Sequence, residues 1–215
     1  MGAIARSAAN NITTSGVFTS SAITNSSVTG ITVLANVSDG ITLISSQTAS
    51  ASATISFTTG INSTYKAYKF VFVNINPATD VQHFSFNFST DSGSNYNVTK
   101  TTTFFQAYHD EADTATALTY ETGNDIAQGT GFQRLTENTG NGADECADGS
   151  LTLFNPSSTT YVKHFISNVA HYNGNNYSNN CFIAGYGNTT SAINAIQFKF
   201  ESGNFDGTIY LYGIK

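Results

Sequence analysis

The chain has 215 residues, a net charge of -6 and only 10% charged residues, against roughly 25% in an ordinary soluble domain. Its eight Lys and Arg residues are scattered from Arg6 to Lys215, so the basic footprint that nucleic-acid binding requires is missing. No stretch reaches the roughly 18 apolar residues of a membrane span, and the polar run Asn10–Ser15 sits where a signal peptide needs an apolar core.

Residues 1–40 form a distinct segment. Arg6 and Asp39 are its formal charges, and Ser, Thr, Asn and small residues fill most of it. Isolated apolar anchors stand at Ile4, Ile12, Val17, Phe18, Ile23, Val28, Ile31 and Val33, with no helical period beyond one turn. Such a segment buries too little apolar surface to fold alone. The expectation is an extended, low-complexity attachment arm that gains order on a partner, followed by a β domain over residues 41–215.

From Ile41 onward, strand signals recur at short intervals. They fall at Ile41–Ser45, Ala53–Thr58, Tyr65–Val73, Phe84–Ser89, Thr101–Tyr108, Leu151–Phe154, Tyr161–Val169, Phe182–Tyr186, Ala195–Phe200 and Thr208–Tyr212. Several alternate strictly. Phe84, Phe86 and Phe88 share one face, opposed by Ser85 and Asn87; Tyr68, Phe70 and Phe72 share another, opposed by Lys69 and Val71. A period of two puts one face on a core. Ile209 and Leu211 repeat it, and Tyr210 and Tyr212 opposite them suggest a second, partly buried contact. The connectors are turn chemistry: Asn76-Pro77, Asp91-Ser92-Gly93, Gly123-Asn124, Asn155-Pro156, Asn173-Gly174 and Ser202-Gly203-Asn204. Asp110–Ser150 carries the weakest strand signal and most of the acid, and reads as long edge loops with one short strand at Phe132–Leu135. The fold class is therefore all-β, an antiparallel β-sandwich of jelly-roll type with an extended N-terminal arm.

Chemistry-bearing patterns are sparse. The acidic run Asp110, Glu111, Asp113, even with Asp144, Glu145 and Asp148, lacks the glycine-turned loop of a calcium site, and a solvated loop is the expectation. His83, His109, His164 and His171 make no metal-ligand spacing, and His83 and His164 are expected to point outward from the core. Neither a nucleophile elbow nor a Gly-rich phosphate loop is present. Sugar-cleaving clefts usually present Trp platforms, and the chain has none. Cys146 and Cys181 lack a CxxC context and are expected to be two free thiols. No enzyme, cofactor or metal is expected.

Four stretches carry a resemblance. They are ISSQTASASATISFTTGINSTYKAYKFVFVNINPATD (Ile44–Asp80), FSTDSGSNYNVTKTTTFFQAYHDEADT (Phe88–Thr114), LFNPSSTTYVKHF (Leu153–Phe165) and FIAGYGNTTSAINAIQFKFESGNFDGTIYLYGIK (Phe182–Lys215). Together they resemble a domain recurrent in virion proteins of tailed bacteriophages, especially phages of marine bacteria. The resemblance implies a virion component on the outer surface of the particle, made in the host bacterial cytoplasm, often a homotrimer, and with no catalytic residues to carry over.

Two readings of role follow. In the first, the chain is a capsid decoration (cement) protein. Its arm, through Ile4, Arg6, Ile12, Val17, Phe18, Ile23, Val28 and Val33, lies on the major capsid protein and on sister subunits. In the second, it is a tail-fibre or receptor-binding protein. Its arm joins tail or baseplate proteins, and Tyr172, Tyr177 and Tyr186 bind a host-surface glycan. The chain is short for a fibre and lacks shaft repeats, which favours decoration.

Overall fold

The computed structural model describes residues 40–215. It contains twelve strands: β1 (Ile41–Ser52), β2 (Ile55–Phe57), β3 (Ala67–Pro77), β4 (Phe84–Ser89), β5 (Lys100–Asp110), β6 (Thr116–Tyr120), β7 (Gln133–Arg134), β8 (Ala147–Phe154), β9 (Lys163–Asn173), β10 (Tyr177–Gly187), β11 (Ala195–Phe200) and β12 (Phe205–Ile214). They form an eight-stranded sheet in the order β1-β12-β3-β8-β9-β10-β5-β6 and a four-stranded sheet in the order β2-β11-β4-β7. Every ladder between these strands is antiparallel.

The pairing is nested. β1 pairs with β12, β2 with β11, β3 with β8 and β4 with β7, and these pairs alternate between the two sheets. A long hairpin folded onto itself in this way is the jelly roll, so the sequence expectation holds. The remaining strands, β5-β6 and β9-β10, are two hairpins spliced into the roll. Both join the same side of the larger sheet and double its width.

The core lies between the sheets and is built from phenylalanine. Phe57, Phe70, Phe72, Phe84, Phe86, Phe88, Phe165 and Phe198 are all at most 2% exposed. Phe198 on β11 is the hub. Its ring centroid lies 5.4 Å from Phe70, 5.2 Å from Phe72 and 5.9 Å from Phe84. Such ring pairs add about 0.5–1.5 kcal/mol each beyond their burial. Tyr68 is fully buried, and its hydroxyl donates to the Asn62 carbonyl at 2.8 Å, so its polar end is satisfied.

Two of the bulges in the large sheet are each held by an aspartate. Asn74 has φ +54, and its N–H donates to Asp148 Oδ1 at 2.8 Å; Ala51 has φ +47, and its N–H donates to Asp206 Oδ1 at 2.8 Å. The ladder registers slip at these points, between Phe72 and Ile75 and between Ala49 and Ser52. Gly207 faces the first bulge with φ +129, where an added Cβ would stand 2.6 Å from the Asn74 carbonyl oxygen.

Two expectations, on β6 and β1, need correction, and β4 adds a finding of its own. β6 arises within the stretch read as loops, because Thr116–Tyr120 pairs with Phe105–His109 of β5. β4 has no solvent face: Ser85 and Asn87 are buried as deeply as the phenylalanines. The segment after β4 and the one around β7 cover that face, and Asn87 Nδ2 donates to the carbonyls of Tyr96 at 2.7 Å and Thr130 at 2.9 Å. β1 runs to Ser52 rather than Ser45 because β12 offers a partner along its length. The short strand expected at Phe132–Leu135 is present as β7, Gln133–Arg134.

Candidate functional site

The distinctive surface is the outer face of the eight-stranded sheet. Alternation in β9, β10 and β5 sends Phe165, Val169, Cys181, Ile183 and Phe104 inward and leaves Ile166, Asn168, Phe182, Ala184 and Phe105 outside. One register row crosses the whole sheet: Ser46, Tyr210, Val71, Ser150, Asn168, Phe182, Phe105 and Tyr120. It contains no charge. Phe105 and Phe182 stack at 5.1 Å with an interplanar angle of 10°. Leu118, Ile166, Tyr120 and Phe154 project from the same face at 73%, 56%, 51% and 40% exposure.

Ile166 separates two shallow apolar recesses. One, of about 450 Å³, is bounded by Phe154, His164, Tyr186 and Ala184; the other, of about 420 Å³, lies over Phe182 and Phe105. Such a face is costly to leave in water, at about 25 cal/mol per Å² of apolar area. The sheet ends at β6, a five-residue edge strand with the uncharged sequence TALTY. Edges meant to stay free are commonly blunted with charge or proline, and this one carries neither. The opposite edge, β1, is also uncharged over its 12 residues.

The three candidate glycan tyrosines do not converge. Tyr172 and Tyr186 lie on the outer face at opposite ends of the β9–β10 hairpin, while Tyr177 points to the inner face. Tyr186 meets the outward-pointing His164 ring edge to face at 5.9 Å. Tyr172 donates to Glu111 Oε1 at 3.0 Å in a recess shared with His109, Asp110 and Asp148. Tyr177 borders a separate polar cavity with Tyr108. The arm residues Ile4, Arg6, Ile12, Val17, Phe18, Ile23, Val28 and Val33 lie outside the described residues.

The acidic residues have local work. Asp110 accepts from the N–H groups of Thr114 and Ala115, both at 2.8 Å, and the Thr114 hydroxyl in particular holds its carboxyl below the usual range. Asp113 meets His109 at 3.0 Å, Glu145 accepts from Gly142 N–H at 2.7 Å, and Asp148 caps the Asn74 bulge. Among the described residues, no group of three or more His, Cys, Asp or Glu is placed to hold a metal ion. Cys146 and Cys181 are both free thiols. Burial pushes the Cys146 thiol up to about 11 and raises that of Cys181 further, which makes both poor nucleophiles.

No known family, curated protein or solved structure matches this chain.

Proposed function

We propose that the chain is a non-enzymatic structural protein of a virus particle: a capsid decoration protein of a tailed bacteriophage. In this reading it stands on the outer surface of the shell as a homotrimer. Residues 1–40 attach it to the major capsid protein.

The observation that carries the proposal is the uncharged, largely apolar band on the outer face of the large sheet, reaching from Phe154 and Ser150 of β8 to the uncharged edge β6, with the acidic residues Glu111 and Asp148 confined to one end. Five strands about 4.8 Å apart, each presenting about seven residues at about 3.4 Å, make a face on the order of 600 Å². A standard interface takes roughly 800 Å² from each partner, so this face supplies most of one. A second copy of the chain is its natural occupant, because an uncharged apolar face needs no complementary charge on its partner. The jelly roll itself is an architecture of viral capsid and lectin domains, which agrees with the reading without deciding it. The resemblance of Ile44–Asp80 and of Phe182–Lys215 to phage virion domains adds further support, including the homotrimer. The tail-fibre reading gains less, since Tyr172, Tyr177 and Tyr186 border three different recesses.

The test is copy number per purified virion, by quantitative mass spectrometry against the major capsid protein. Hundreds of copies in a simple ratio with the shell protein are expected. A few to a few tens of copies would overturn decoration and move the chain to the tail or baseplate. Deleting residues 1–40 is expected to leave a folded sandwich that no longer attaches to particles; full occupancy by the truncated chain would remove the arm from the proposal.

A further inference from the structure

The inner face of the widened sheet carries a different kind of surface. Beyond the phenylalanine core, at the end of β5, β9 and β10, the inward residues turn polar: Gln106, Asn173 and Asn179 are all at most 6% exposed. They border a cavity of about 220 Å³, with Glu137 and Asn138 of the loop after β7 on one side and Tyr108 and Tyr177 on the other. The two tyrosine rings meet edge to face, 5.4 Å apart at an interplanar angle of 80°.

The hydrogen bonds around this cavity are directional. Gln106 is fully committed: its Nε2 donates to Glu137 Oε2 at 2.6 Å and to Glu121 Oε1 at 2.9 Å, and its Oε1 accepts from Asn179 Nδ2 at 2.8 Å. The Asn179 amide is thereby fixed. Its Oδ1 is left without a partner among the described residues, although Asn179 is only 3% exposed. Asn175 likewise spends its Nδ2 on Asn173 Oδ1 at 3.1 Å, which leaves its own oxygen available. The Asn179 oxygen is itself closed to solvent, and the acceptors on the residues lining the cavity beside its aromatic rings are the Asn175 amide oxygen and the Glu137 carboxylate.

Acceptors in that arrangement select a ligand rich in hydroxyl donors. An anion would face Glu137. A bare divalent cation would find one carboxylate where six to eight oxygens are wanted. An apolar ligand would strand the amides without partners. A sugar ring brings several hydroxyl donors and a C–H face suited to tyrosine. An amide oxygen, one carboxylate and an amphipathic aromatic wall are the few polar groups and apolar surface that fix a small ligand in a concave site.

We infer that the cavity between Tyr108, Tyr177, Asn179 and Glu137 binds one pyranose unit of a neutral saccharide. This does not rest on the virion reading, since the cavity and the apolar outer face lie on opposite sides of the sheet.

The experiment is saturation-transfer NMR on the full chain with free glucose, galactose, mannose and N-acetylglucosamine as probes, followed by titration of any sugar that responds. At least one of the four is expected to receive saturation. Tyr177→Ala and Glu137→Gln are each expected to weaken it at least tenfold, while Tyr186→Ala on the outer face leaves it unchanged. Asn175→Ala, at an exposed turn position, provides a milder variant if Tyr177→Ala fails to fold. It is expected to weaken binding severalfold. No response from any of the four sugars would overturn the inference, as would undiminished binding in both Glu137→Gln and Asn175→Ala. Response abolished by Tyr186→Ala alone would place the sugar on the outer face and overturn it equally.

Discussion

The ammonium of Lys100 donates to the side-chain oxygen of Asn87 at 2.5 Å, in a place where neither residue meets solvent. Its other acceptor is the Val98 carbonyl at 2.8 Å, so both partners are neutral. Asn87 in turn ties β4 to the covering segments through the carbonyls of Tyr96 and Thr130. The pair closes the outer side of the small sheet, and it does so with a charge taken out of water.

That burial sets a pH dependence. Desolvation pushes the Lys100 ammonium down to about 7 from an ordinary 10.5. Below about pH 7 the lysine is charged in both folded and unfolded chains, and the cost of burying the charge is fully present. Above it, the folded chain releases a proton that the unfolded chain keeps, so stability rises with pH. Urea denaturation at pH 6, 7, 8 and 9 is expected to show unfolding free energy climbing between pH 7 and 9, by up to about 1.4 kcal/mol per pH unit from this group. Lys100→Met is expected to flatten that climb.

His171 sets the acid side. It is buried on the inner face of β9, with Nε2 2.6 Å from the Glu137 carbonyl oxygen, and burial lowers its pKa from 6.5 to about 4. Between those values the unfolded chain binds a proton that the folded chain refuses. Stability is therefore lost as pH falls from about 6.5 toward 4. His171→Gln, which keeps a donor for the carbonyl, is expected to reduce the slope of stability in that window, measured by thermal melting at pH 7, 6, 5 and 4.

Phe198 is the position where the core has most to lose. Its ring is within 6.4 Å, centroid to centroid, of Phe57, Phe70, Phe72, Phe84 and Phe86. Phe198→Ala is expected to cost about 3–5 kcal/mol, and Phe198→Leu visibly less, in chemical denaturation. Equal costs would mean that packing around the ring is looser than the close contacts indicate.

On the outer face, Ile166→Lys and Leu118→Lys place charges on exposed side chains that support no core. Each is expected to leave the unfolding midpoint almost unchanged and to reduce the oligomer, read as molar mass by light scattering after size-exclusion chromatography. An unchanged mass in the double variant would remove this face from the proposed assembly.

Most of the jelly roll was legible because strand alternation is local. Phe84-Ser85-Phe86-Asn87-Phe88 announces a strand with one apolar face; the turns at Asp91-Gly93, Gly123-Asn124, Asn155-Pro156 and Ser202-Asn204 fall between strands, while Asn76-Pro77 forms the end of β3 and Asn173 the end of β9. What was not legible was non-local. Nothing in Ser85 or Asn87 says that another segment will cover them, because the covering residues are Lys100, Gln133 and their loops, 10 to 50 positions away. β6 was missed for the same reason: Thr116–Tyr120 is only five residues long and becomes a strand through its ladder with β5. The candidate tyrosines Tyr172, Tyr177 and Tyr186 border three different recesses. Tyr172 and Tyr177 flank the turn between β9 and β10, where Tyr172 pairs with Ser178 and Tyr177 with Asn173, and this register puts them on opposite faces. The polar cavity had a sequence signal only in part, in the amide run Asn173 to Asn179; Glu137 and Tyr108 join it through tertiary structure alone.

The nested pairing also dictates an order of events during synthesis. β12 sits between β1 and β3, with Ile41 opposite Ile214 and Ala67 opposite the same residue. As the chain leaves the ribosome, β1 has no ladder partner and β3 has only β8 until residues 205–214 emerge. Contacts so distant in sequence close slowly. The nascent chain must therefore carry unpaired strand edges on β1 and β3 until residues 205–214 have emerged, and the sandwich closes only once β12 is free.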